Sequence, residues 1–221
     1  MIKISLNKEL DYEVYQDFNN FFVAGADFGG GIKKDHPGIS LENYKKYIDD
    51  FYIANQDEMT ENLDLVNNLI SEKQDKFYSA LKDIFHMDFN ADPYQGYLSI
   101  FNCNPRWPET KTFQIFYKKD LSHMLEVACH ESLHFAFFDY LDKNFTSQIN
   151  GLSKNSGVLW ELSEILNVII LNLPPFNEIL GMEELLFYPE LQPKLDKAKE
   201  IWNECGGNIK ELINMYLEDI K

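Results

Sequence analysis

The stretch that decides the fold and the chemistry is His130-Glu131-Ser132-Leu133-His134, inside the apolar run from 121 to 141. If this run is helical, His130 and His134 project from one face, one turn apart, so both imidazoles can reach a single tetrahedral cation. Glu131 is rotated away from that cation but can contact a water molecule beside it. The spacing therefore predicts a metal-activated hydrolase in which Glu131 moves protons.

The same spacing also has a purely structural interpretation, in which the two histidines pack in a helix interface. The pattern lies in the middle of a long amphipathic run rather than in a loop, which favours the metal site. A catalytic zinc needs a third protein ligand and an open position.

A second apolar helix, predicted over 157–171, offers two candidates for the third ligand. Glu161 and Glu164 are three residues apart, so they share a face of this helix. A carboxylate among Leu, Ile and Trp side chains is unfavourable unless something neutralises it, and a cation would do so.

These residues carry a family resemblance. His-Glu-x-x-His followed by a glutamate on a second helix resembles the gluzincin branch of the zincin metallopeptidases. The related metzincins need Gly and His where this chain has Phe137 and Tyr140, so that branch is excluded.

The resemblance implies that His130 and His134 bind Zn²⁺, that Glu131 is the general base and acid, and that one later glutamate is the third ligand. Ser163-Glu164 matches the family's third-ligand position, which favours Glu164, with Glu161 as the alternative. The remaining glutamate, or Asn167, could accept a hydrogen bond from a ligand histidine.

The chain departs from the family in two ways. The third-ligand helix lacks the usual Gly, and Tyr188 is the only downstream tyrosine that can be nominated as an oxyanion stabiliser.

The length, composition and charge of the chain limit the classes of protein to which it can belong. With 221 residues, 45% of them hydrophobic, the chain is long enough for one domain with a core. No uncharged apolar run reaches membrane-spanning length, and the N-terminus lacks a signal-peptide core. Three widely spaced cysteines predict a reduced, cytoplasmic protein. A net charge of −16 argues against nucleic acid or anionic membrane as a partner. This negative charge either favours a basic peptide substrate or simply keeps the protein soluble.

Residues 1–92 are predicted to form an N-terminal helical lobe, which ends at Asp92-Pro93. Within it we expect a loop at 24–38, because of its glycines, with His36 exposed. The expected regular elements are a strand at 3–6 and helices at 9–22, 40–53, 58–70 and from Ser71 onward, the last with a capping box.

Residues 93–221 are predicted to form the zincin-like catalytic core. Two β-rich segments, 97–103 and 112–117, read as a hairpin immediately before the His-Glu-x-x-His helix. The family resemblance implies that the edge strand there pairs with an extended peptide substrate. Asp120 is expected to cap the helix, and Pro193 and Gly206-Gly207 to bound a later one.

Together these features predict an α+β fold: a mostly helical, zincin-like domain with a small β-sheet before the motif helix. The predicted function is zinc-dependent hydrolysis of a peptide bond in a peptide or protein substrate. One alternative is a zinc hydrolase of another amide or a small molecule. The other is a non-catalytic binding or regulatory protein with a structural or vestigial metal site. The sequence does not specify the substrate or the oligomeric state.

Overall fold

The computed structural model describes residues 1–23, 25–89 and 94–218. The fold is α+β and mostly helical, with 62% helix and 10% strand, which confirms the predicted class. The elements, in chain order, are β1 (Ile2–Leu6), α1 (Lys8–Phe18), β2 (Phe22–Val23), β3 (Ala26–Asp27), α2 (Phe28–Asp35), α3 (Tyr44–Ala54), α4 (Gln56–Phe85), β4 (Tyr94–Ser99), β5 (Arg106–Trp107), β6 (Thr112–Phe116), α5 (Leu121–Asn144), α6 (Gly157–Leu171), α7 (Pro174–Leu180), a 3₁₀ turn (Pro189–Leu191), α8 (Gln192–Glu204) and α9 (Ile209–Glu218).

The chain forms two compact units that are interleaved along the sequence. The first consists of Met1–Gln74 and Asp92–Glu131, and the second of Asp75–Ala91 and Ser132–Lys221. Two continuous helices, α4 and α5, contribute residues to both units. The boundary predicted at Asp92-Pro93 lies outside the described residues, so a separate N-terminal lobe stays a prediction.

The first unit contains a four-stranded sheet with the order β1-β4-β6-β5. Strands β1, β4 and β6 are parallel to their neighbours, and only β5 runs antiparallel to β6. The predicted hairpin of β4 and β6 is therefore wrong. Successive β6 residues Phe113, Gln114 and Ile115 are all buried, as in strands that are covered on both faces. Such coverage is typical of parallel strands, whose connections cross over the sheet.

A buried carboxylate, Asp11 on α1, ties this helix to the sheet. It accepts hydrogen bonds from Ser99 Oγ at 2.6 Å, Gln114 Nε2 at 2.9 Å, Tyr52 Oη at 2.7 Å and Ile100 N at 3.3 Å. Burial nevertheless outweighs these four donors and raises the pKa of Asp11 to about 6. The carboxylate therefore organises α1, α3 and β4 at an electrostatic cost.

The glycine-rich segment contains α2, where we expected only a loop. Asp27 caps this helix by accepting a hydrogen bond from Gly30 N at 2.8 Å. Ile32 is buried and anchors the helix. A cap and one apolar anchor thus outweigh the low helix propensity of three consecutive glycines.

His36 directly follows α2 and is buried, so its predicted exposure is wrong. Its Nε2 lies 2.9 Å from the Ile100 carbonyl oxygen, and its Nδ1 lies 3.2 Å from Tyr47 Oη. Because both ring nitrogens have partners, the imidazole can be buried without loss of hydrogen bonding. Burial lowers the pKa of His36 below its ordinary value.

Helix α4 is one uninterrupted helix, where two had been predicted. The capping pattern at Ser71 does not begin a new helix, and this side chain is exposed. Apolar residues continue at helical spacing on both sides of it, with Val66, Ile70 and Phe77 all buried. Since no Gly or Pro interrupts the segment, the helix continues through it.

The second unit is helical. Helix α6 has the predicted bounds of 157–171, and all its residues from Leu162 onward are buried, as expected of an apolar helix surrounded by others. The predicted start of α8 near Pro193 and its end before two glycines are also confirmed, since Gly206 and Gly207 have φ angles of 61° and 79°.

Among the described residues, no single helix is long and apolar enough to cross a membrane. Helices α6 and α7 reach that length and composition only as a pair, with a bend of 83° between them.

Candidate metal centre

Helix α5 carries the His-Glu-x-x-His motif and begins at a strong cap. As predicted, Asp120 caps it, accepting hydrogen bonds from His123 N at 3.0 Å and Ser122 Oγ at 2.7 Å. These donors hold the pKa of Asp120 well below its usual range. The helix then runs unbroken to Asn144, so His130 and His134 lie one turn apart on one face.

Glu164 on α6 meets the second motif histidine inside the second unit. Its Oε1 lies 3.6 Å from His134 Nε2, and both side chains are almost fully buried. With His130, one turn earlier on the same helix, these residues form a group whose possible ligand atoms all lie within 4.8 Å of one another. Two imidazoles and one carboxylate are a donor set that suits zinc and leaves a coordination position open. The three residues therefore fit the metal that the resemblance implies.

The alternative ligand, Glu161, has a different partner. It forms an ion pair with Lys194 on α8. Burial, with a smaller contribution from the negative charge of Glu161, raises the pKa of Tyr216 to about 12. Among the described residues, Glu161 belongs to no group that could hold a metal. The geometry thus favours Glu164 as the third ligand.

The predicted base, Glu131, lies beside a residue that the sequence analysis did not single out. Arg106 Nη1 is 3.7 Å from Glu131 Oε2, and both side chains are mostly buried. Arg106 belongs to β5, at the edge of the sheet. The sequence does carry one signal for it, because Arg106 is the only arginine among 20 basic residues.

The other nominated side chains have more ordinary environments. Tyr188 packs edge-on against Trp160 with ring centroids 4.9 Å apart, as expected of a structural aromatic residue. Cys129 is buried. Asn167 is fully buried one turn after Glu164, so its role as an acceptor for a ligand histidine stays a prediction.

Comparison of the chain with protein-family models, curated proteins and solved structures gives no match. The zincin resemblance therefore rests on the motif in α5 and on the geometry around it. That geometry combines a group of side chains that could hold a metal ion with a buried carboxylate one residue after the first histidine. Such a combination can bind a Lewis-acidic cation and transfer protons next to it.

Proposed function

We propose that the protein is a zinc-dependent metallopeptidase. The observation that carries the proposal is the group formed by His130, His134 and Glu164, with Glu131 adjacent on the same helix. Burial of Glu164 beside His134 supports a metal, because a cation there would stabilise a carboxylate that lies among the apolar residues of α6. His130 is only half-buried, which leaves one side of the group accessible to a substrate.

The chemistry divides between the metal and the protein. Zinc held by His130, His134 and Glu164 would supply a Lewis acid that makes water more acidic and polarises a carbonyl group. Glu131 takes a proton from the attacking water as its oxygen bonds to the carbonyl carbon. When the carbon–nitrogen bond breaks, Glu131 delivers this proton to the leaving amine.

An extended peptide is the substrate class that we propose. Strand β5 lies at an edge of the sheet and carries Arg106, which contacts the predicted base. An exposed strand edge can bind a peptide through main-chain hydrogen bonds. The net charge of −16 would favour basic peptides over nucleic acid or anionic membranes. We also propose a cytoplasmic location, supported by three cysteines that form no disulfide.

The first experiment is elemental analysis of the purified protein after dialysis, with His134→Ala as the test variant and His123→Ala as its control. Both histidines lie on α5, but His123 is exposed and interacts with Asp120. We expect about one zinc per chain in the wild type and in H123A, and none in H134A. Wild-type protein that takes up no zinc would refute the proposal.

Catalysis is tested with a basic peptide library on zinc-loaded protein. Glu131→Gln should keep the zinc and the fold but lower turnover by about 10²- to 10⁴-fold, the usual contribution of a general base. Substantial activity in E131Q would contradict the role of Glu131. Cleavage of a panel of small amides without cleavage of peptides would favour the hydrolase alternative. Zinc that acetohydroxamate cannot reach would favour a structural site.

A further inference from the structure

Arg106 is the strongest feature that the proposed metal site leaves unexplained. Its side chain is 13% exposed and that of Glu131 is 6% exposed, and the two approach to 3.7 Å. The other basic residues of the chain are all lysines, 19 by count of the sequence. A mostly buried guanidinium thus lies beside the one side chain to which we assign proton transfer.

The main chain holds Arg106 in place on both sides. Strand β5 pairs with β6, and Trp107 lies opposite Thr112. The carbonyl oxygen of Pro105 accepts a hydrogen bond from Gln114 N at 2.9 Å, which extends this ladder. One residue earlier, the side chain of Asn104 accepts a hydrogen bond from the main chain of β6 at 3.1 Å. A donor on such a fixed segment needs little reorganisation during a reaction.

We propose that Arg106 donates a hydrogen bond to the carbonyl oxygen of the scissile amide as that oxygen becomes negatively charged. The inference rests on the proposed metallopeptidase function. When the water oxygen bonds to the carbonyl carbon, an electron pair moves onto the carbonyl oxygen. It returns when the carbon–nitrogen bond breaks, and the amine takes the proton from Glu131. Arg106 stabilises the intermediate charge without changing its own protonation.

The distance to Glu131 supports this role. A guanidinium 3.7 Å from the base can also contact an oxygen atom that approaches the base from the same side. Its five N–H groups form a planar fork, so contact with Glu131 and with a second oxygen can coexist. A lysine has no such fork. The proposed role therefore explains why position 106 has the single arginine of the chain rather than a lysine.

The test measures binding rather than turnover. Zinc-loaded wild type, Arg106→Met, Arg106→Lys and the control Lys46→Met are titrated calorimetrically with two probes. N-phosphoryl-leucinamide presents a tetrahedral anion, as the transition state does, and acetohydroxamate reports on metal access. Lys46 is an exposed residue paired with Asp50, so K46M removes a positive charge elsewhere.

We expect R106M to bind N-phosphoryl-leucinamide about 100-fold more weakly than wild type, as for loss of one oxyanion donor. We expect R106K to lose about tenfold, because it keeps the charge but not the fork. Binding of acetohydroxamate, and both titrations of K46M, should stay within about threefold of wild type. The same weakening should appear when R106M is made in Glu131→Gln protein, because the contact does not act through Glu131.

Three outcomes would overturn the inference while leaving the zinc site intact. These are equal weakening of both probes, no weakening in R106M, and a loss that disappears in the E131Q background. Wild type that binds acetohydroxamate but not N-phosphoryl-leucinamide would also overturn it. Wild type without zinc would refute the proposed function itself, and the inference with it.

Discussion

Replacing Glu164 by Gln tests the proposed third metal ligand, and Glu161 offers a matched control on the same helix. Each substitution removes one carboxylate charge and keeps the side-chain size. Glu164 Oε1 lies 3.6 Å from His134 Nε2, whereas Glu161 pairs with Lys194. We therefore expect E164Q to weaken zinc binding strongly and E161Q to leave it nearly unchanged.

The size of the effect follows from the role of the residue. Loss of a group that only supports a ligand weakens metal binding by about 10- to 100-fold, so loss of a ligand should weaken it by about 100-fold or more. Free zinc at about 1,000 times the wild-type Kd stabilises the fold by about 4.1 kcal/mol. At the same zinc concentration, a site with 100-fold weaker affinity gains only about 1.4 kcal/mol. E164Q should therefore lose about 2.7 kcal/mol of zinc-dependent stabilisation, which E161Q should retain.

The assay is urea unfolding of each variant in EDTA and in buffered zinc, followed by the fluorescence of the three tryptophans. Each variant is compared with itself without metal, so changes in packing cancel and the zinc-dependent part remains. Isothermal titration with zinc gives the affinities directly. Equal zinc-dependent stabilisation in wild type and E164Q, or a larger loss in E161Q, would refute the assignment of Glu164.

Three further predictions concern stability, each measured by urea unfolding. Gly96→Ala should destabilise by about 1–3 kcal/mol, because a Cβ atom there would lie 2.8 Å from the buried ring of Phe113. Asn172→Ala should cost about 1–3 kcal/mol, since its side chain exchanges hydrogen bonds of 3.0 and 2.8 Å with the main chain of Glu184. Burial raises the pKa of Asp11 from its ordinary value of 3.8, which applies to the unfolded chain, to about 6 in the folded protein. The folded state therefore binds more protons between these values, and wild type should gain about 2 kcal/mol relative to D11N from pH 7.5 to 4.5. A flat difference would mean that its hydrogen bonds balance the effect of burial on the pKa, and an opposite difference that they outweigh it.

The helices that carry the candidate ligands could be predicted because their signals are local. The bounds of α6 follow from an apolar run between Gly157 and two prolines. The start of α5 follows from Asp120, and the spacing of its histidines follows from helix geometry alone. Each of these features depends on residues within a few turns of one another.

The wrong predictions share a different origin, because contacts between distant residues decide them. Strand β4 pairs in parallel with β6, and no pattern within either segment specifies the direction of its partner. His36 is buried because the Ile100 carbonyl, 64 residues away, binds its imidazole. The short α2 persists because Ile32 is buried in the first unit. The glycine-rich segment has a low intrinsic helix propensity, but tertiary packing overrides this propensity and stabilises α2.

At the candidate site, too, some features depend on local sequence and others on contacts between distant residues, and Arg106 belongs to the second kind. The motif specifies two of the proposed metal ligands and the proposed base through one helix, whereas the guanidinium reaches Glu131 only through the pairing of β5 with β6. Metal affinity and stabilisation of negative charge should therefore fail separately. E164Q should lower zinc affinity, and R106M should weaken binding of the tetrahedral anion while zinc affinity stays unchanged. A variant set in which both properties always fall together would mean that the arginine supports the metal site rather than the reaction.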